Sequence, residues 1–172
     1  MADPDASERA DESQDWMRFV RAQAETYARA LAELRSGRKR THWMWFVFPQ
    51  IEGLGMSPTA RHFAIRSLAE ARALLAHPIL GPRLIECSEA VLALEGRTAH
   101  EIFGSPDDLK LRSCATLFAL VSPPDSVFER VLAKFYGGER DPRTIELLAA
   151  PPRDRHGGGD EPRWRAEDPE LS

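Results

Sequence analysis

GSPDDLKLRSCATLFALVSPP, residues 104–124, carries a full set of helix boundary signals. Gly104 ends one segment, Ser105 is placed to cap the next, and Pro106 falls at the first helical position, where a missing N–H costs little. Asp107 and Asp108 lie in the first turn, where the helix dipole favours anions, and Ser122-Pro123-Pro124 stops the helix. Its second half, CATLFALV, is apolar almost all round, which predicts a helix at the centre of the core.

The same punctuation recurs on both sides. Downstream, Asp125 or Ser126 starts VFERVLAKFYGG, closed by Gly137 and Gly138, and Asp141-Pro142 opens RTIELLAA. Upstream, Thr98 caps AHEIFG, and PRLIECSEAVLALEG ends at Gly96. Ser67 caps LAEARALLAHP with Glu70 at capping-box spacing, and Pro78 and Pro82 interrupt the chain. Nearest the start, Ser13 caps a helix carrying Trp16, Phe19, Val20, Tyr27, Leu31 and Leu34, which Gly37 ends. No period-2 alternation argues for a sheet. The expectation is a mainly α fold: one compact domain over residues 13–150, of about seven short helices with Pro/Gly-rich joints. Residues 1–12 and 151–172 are rich in charge, Pro and Gly and read as disordered tails.

The chain has 172 residues, 42% of them hydrophobic, and a formal net charge of -4. That balance sets nucleic acid aside as an expected partner, since nonspecific binding rests on a basic surface. No secretory leader and no apolar run of membrane-spanning length is visible, so a cytoplasmic location with no membrane partner is expected. Cys87 and Cys114 stand apart in apolar helical patterns and read as buried reduced thiols. No histidine pair has metal-ligand spacing, so neither a metal nor another cofactor is expected.

One segment fits no simple pattern. In KRTHWMWFVFPQI, residues 39–51, six large apolar groups follow His42 without a break. Most must be buried, and length alone does not separate a helical turn from a short strand. His42 stands between a basic tripeptide and the aromatic run, where desolvation would perturb an ionisable group. At 100° per residue, Asp107, Lys110, Ser113 and Cys114 fall on one side of the central helix. That stripe is either internally paired, with Lys110 in a salt bridge, or it faces a pocket where Lys110 holds an anion or carbonyl and Asp107 orients it. The bases of GRKR, residues 37–40, suit a helix C-terminus or a phosphate, and the EGLG loop is a turn or a lid.

These blocks resemble a known family. HWMWFVFPQ, SLAEARALLAHPILGPRL and IFGSPDDLKLRSCATLF with VLAKFYGGERDPRTIELL look like the bacterial domain of unknown function 1810, over about residues 15–148. The resemblance implies a small helical protein and names no activity. The order of ARHFAIRSLAEA, DDLKLRSCATLFAL and VLAKFYGG is also similar to the NADAR family, helical proteins tied to ADP-ribose and related nucleotides. That likeness implies an N-glycosidase-type pocket, with Trp43 or Trp45 stacked on a base or ribose and Lys110 with Asp107 or Asp108 at the reacting centre. The family's Glu-His-Tyr-Phe block stands here as Ala60-Arg61-His62-Phe63, without its Glu.

The candidate catalytic residues are therefore Asp107, Asp108, Lys110 and His42; the candidate ligand-binding residues are Trp43, Trp45, Gln50, Ser113 and Arg40. The leading expectation is a pocket for a nucleotide or ADP-ribose-like small molecule, with a hydrolase of the N-glycosidase type as its enzymatic form. The alternative is a noncatalytic interaction module, or a homo-oligomer, using the aromatic segment 43–48; the sequence leaves the oligomeric state open.

Overall fold

A computed structural model describes residues 16–150. They form ten helices: α1 (16–24), α2 (Tyr27–Ser36), α3 (Met44–Val47), α4 (Pro58–His62), α5 (Leu68–Ala76), α6 (Leu80–Leu92), α7 (Ala99–Phe103), α8 (Asp107–Ala119), α9 (Val127–Tyr136) and α10 (Pro142–Ala149). Among the described residues the one strand-like feature is a parallel bridge between Ile51 and Ile65. The all-helical class is as the sequence predicts. The helix count is higher because the first predicted helix is two, and because α3 and α4 are only four and five residues long, too short to show periodicity. The two tails and the Ser13 cap lie outside the described residues.

The local signals set most helix ends. Ser67, Thr98, Ser126 and Asp141 each accept a hydrogen bond from the backbone N–H three residues on, and Thr98 with Glu101 forms a complete capping box. Gly37 ends α2 in the left-handed region at φ 84°. Several boundaries differ from expectation. The first predicted helix is two, because Thr26 N–H bonds Gln23 O in a tighter turn that breaks the ladder. Ser105 does not cap α8. The Ser105–Pro106 peptide is cis, Pro106 is the N-cap without a side-chain bond, and the N–H groups of Asp108 and Lys110 reach the Gly104 and Pro106 carbonyls instead. Pro82 interrupts nothing: it sits in the first turn of α6, where its N–H would be unpaired anyway. Ala93 closes α6 three residues before Gly96. His77, the C-cap residue of α5, also caps the start of α6, its Nδ1 accepting from Ile79 and Leu80 N–H. That role needs a neutral ring, and burial lowers its pKa in the same direction.

α8 is central, packed against α9, α7, α5 and α10, and its Leu117 and Phe118 are fully buried. The aromatic run resolves as a helical turn, α3. Trp43, Met44, Val47 and Phe48 go into the core, while Trp45 and Phe46 are half-buried against it. Buried Gln23 holds the turn in place: its amide donates to Phe46 O at 2.7 Å, and Arg83 donates back to it. After Pro49 the chain is pinned to the segment before α5, Ile65 N–H bonding Gln50 O and Glu52 N–H bonding Ile65 O. The helix α3, the pinned loop and the N-terminal half of α8 enclose one cleft.

Candidate functional site

The cleft has a volume of about 900 Å³. Its floor is the stripe of α8 that carries Asp107, Lys110 and Ser113, three residues apart and therefore on one face. One wall is the segment after α2, with Lys39, Arg40, His42 and Trp45. The opposite side is the loop from Gln50 to Met56 with Ala60 and Phe63 behind it, and Asp141 closes the far end.

Charge alternates along the floor. Lys39 Nζ lies 2.7 Å from Asp107 Oδ2, and Lys110 Nζ lies 3.5 Å from Asp107 Oδ1. Lys110 Nζ also sits 5.0 Å from the centroid of the Trp45 ring, within cation–π range, and Lys39 Nζ is 5.1 Å from that of Trp43. Asp107 is thus held between two ammonium groups. With Arg40 at the rim, three cations and the two acids Asp107 and Asp141 line the cleft among the described residues.

The wall is ordered by a residue that no motif singled out. Glu33, buried on α2, takes Arg40 N–H and Thr41 N–H on Oε1 at 2.7 and 2.9 Å. The Trp43 indole reaches the same oxygen at 3.0 Å, and the Thr41 hydroxyl reaches Oε2 at 2.6 Å. Burial works to raise the pKa of this carboxyl. The bonds from Thr41, Arg40 and Trp43 to the charged form outweigh it and hold the pKa at about 2. A fixed charge at Glu33 therefore sets the course of residues 39–43 and aims Lys39 at Asp107. Its only sequence signal was an acid on the otherwise apolar side of a helix.

Asp141 is built as carefully. Its Oδ2 accepts three bonds: from Ser113 Oγ at 2.9 Å, Thr144 Oγ1 at 2.5 Å and Thr144 N–H at 3.2 Å. Its own N–H donates to Thr116 Oγ1, and Arg112 holds the Glu139 and Arg140 carbonyls just before it. α8 thus positions the whole turn through Arg112, Ser113 and Thr116.

Seven of the nine residues nominated from sequence line the cleft: Asp107, Lys110, His42, Trp45, Gln50, Ser113 and Arg40. Two do not. Trp43 is fully buried with its indole N–H on Glu33, because the helical turn sends it inward where Trp45 faces the cleft. Asp108 points away, its Oδ2 3.5 Å from His100 and its Oδ1 accepting Leu109 N–H. His42 is exposed, so the desolvation expected there is absent. The buried indole N–H of Trp45 meets no acceptor among the described residues. Elsewhere, Cys87 and Cys114 are free and buried, as their apolar setting suggested. Among the described residues no group of three or more His, Cys, Asp or Glu is placed to hold a metal ion, and no helix is long and apolar enough to cross a membrane.

Residues 13–148 match the family model described as Protein of unknown function (DUF1810), and the chain belongs to that family. A similar solved structure is that of the conserved hypothetical protein Rv1873 from Mycobacterium tuberculosis, with 55% sequence identity and a TM-score of 0.77. The match covers 80% of this chain and 98% of that one. No curated protein matches the chain.

Proposed function

We propose that the cleft binds a small anionic metabolite with a flat ring, of the nucleotide or ADP-ribose class. The observation that carries this reading is the joining of Lys110, Trp45 and Arg40 in one concave site. A cation over an aromatic face beside a second cation suits a ligand that is both charged and planar. The cleft's size fits such a molecule. Gln50, half-buried at the head of the loop, adds a group that can both donate and accept.

Binding is better supported than hydrolysis. An N-glycosidase-type step needs a carboxylate beside the ligand that can take a proton from water. Asp107 has both oxygens on lysines, and Asp108 turns towards His100. The interaction-module reading has less support, since Trp43, Met44, Val47 and Phe48 leave little apolar area exposed.

The test is calorimetric titration with AMP, ADP-ribose and ribose 5-phosphate, on the wild type and Lys110→Met. Saturable binding by at least one probe, weakened about tenfold or more by the substitution, is expected. Absence of binding by all three would end the reading.

A further inference from the structure

The residue that closes the far end of the cleft was not among those nominated from sequence, and its bonding is lopsided. All three donors to the Asp141 carboxylate, Ser113 Oγ, Thr144 Oγ1 and Thr144 N–H, fall on Oδ2. Among the described residues no donor meets Oδ1. Asp141 is partly exposed and lines the cleft, so the carboxylate is locked in orientation with one oxygen left over for what enters. An N-cap needs only the oxygen that meets the Thr144 N–H. Capping therefore accounts for Oδ2 and leaves Oδ1 open to solvent or to a ligand in the cleft.

We propose that Asp141 recognises a sugar hydroxyl: Oδ1 accepts a hydrogen bond from a hydroxyl of the ligand whose anionic group lies towards Lys110 and Arg40. This rests on the cleft binding a nucleotide-like ligand. It adds the ligand's orientation and the chemical feature that selects it. A carboxylate is an acceptor only, so it takes hydroxyls and repels phosphate. The anionic group is driven away from Asp141, towards Lys110 and Arg40. Asp107 and Ser113, which mark the two ends of the floor, are six residues apart, about 9 Å along a helix. That is the scale of one sugar phosphate.

AMP and its ribose-dideoxy analogue, which keeps the phosphate and the base and lacks both hydroxyls, are titrated calorimetrically into the wild type and Asp141→Asn. Asn retains an acceptor for Ser113 and Thr144 and caps helices as well as Asp, but it places an NH2 donor where Oδ1 stood. The wild type is expected to bind AMP about tenfold or more tightly over the dideoxy analogue, as for a hydrogen bond to a charged group. Asp141→Asn is expected to lose the preference, binding AMP and the analogue within about threefold of each other. Equal binding of both probes by the wild type would overturn the role of Asp141 and leave the cleft reading intact. So would an Asp141→Asn protein that weakens both probes equally, since that marks a residue that only supports the wall. No binding of AMP or of the analogue by the wild type, with ADP-ribose or ribose 5-phosphate still bound, also overturns this inference alone. Failure of every probe removes both.

Discussion

Lys39 and Asp107 meet at 2.7 Å, and this ion pair ties the segment after α2 to the first turn of α8. The Lys39 side chain is 7% exposed and that of Asp107 19%, so neither charge is well solvated. Asp107→Asn leaves Lys39 buried near Lys110 without the anion between them. A loss of about 3 kcal/mol is expected, because breaking a buried pair leaves an uncompensated charge. Lys39→Met should cost less, since Lys110 still faces Asp107. Urea unfolding of both variants checks this, and a cost below about 0.5 kcal/mol for Asp107→Asn would mean that solvent screens the pair.

Glu33 should carry much of the stability of the cleft wall and part of its acid sensitivity. Its folded pKa is about 2 against an ordinary 4.5, so the unfolded chain takes up the proton first. The stabilisation from its charge is full above pH 4.5 and fades as pH falls towards 2. Glu33→Gln is expected to cost on the order of 2–4 kcal/mol at neutral pH, through weakened bonds to Arg40, Thr41 and Trp43. Unfolding free energies measured at pH 6, 4 and 3 should converge between variant and wild type as the pH drops. A difference that stays constant would exclude the charged carboxylate as the cause.

Gly81 tests packing against propensity. It lies in the first turn of α6, and Gly to Ala in a helix ordinarily stabilises by up to about 1 kcal/mol. A Cβ there would fall 2.0 Å from the Leu75 carbonyl oxygen and 2.8 Å from its carbon, both backbone atoms of α5. Gly81→Ala should therefore destabilise by about 2–3 kcal/mol, the opposite sign. A rise in melting temperature would show that α5 and α6 do not approach this closely.

The two thiols should be silent in the folded protein. Burial pushes Cys87 up to about 12 and Cys114 well above the ordinary thiol value, so almost no thiolate exists at pH 8. A disulfide reagent added at that pH should label neither cysteine until denaturant is present, when both react. Rapid labelling of one in native buffer would show that its helix opens.

The helices were legible because their signals are short-range. Ser67, Thr98, Ser126 and Asp141 cap with atoms three residues away, so a string of a few letters contains the whole interaction. The polar stripe on α8 was legible for the same reason, since 3.6 residues per turn puts Asp107, Lys110 and Ser113 in a row. His77 shows where this stops. Its backbone closes α5 while its ring caps α6, a double role set by the turn between the two helices.

The cleft divides along the same line. Composition and spacing were enough for an all-helical domain with a charged helix face, because periodicity and capping act over one or two turns; that the aromatic run is a helical turn was left to the packing. Trp43 and Trp45 read alike in the chain, yet one carries a structural bond to Glu33 and the other lines the cleft. Glu33 and Asp141 drew no notice as site residues, because what matters about them lies in their partners. Ser113 and Asp141 are 28 positions apart, and Lys39 meets Asp107 across about half of the domain's sequence. Contacts at that range follow from how the helices pack, which no local pattern encodes, and they alone turn a row of charges into a site.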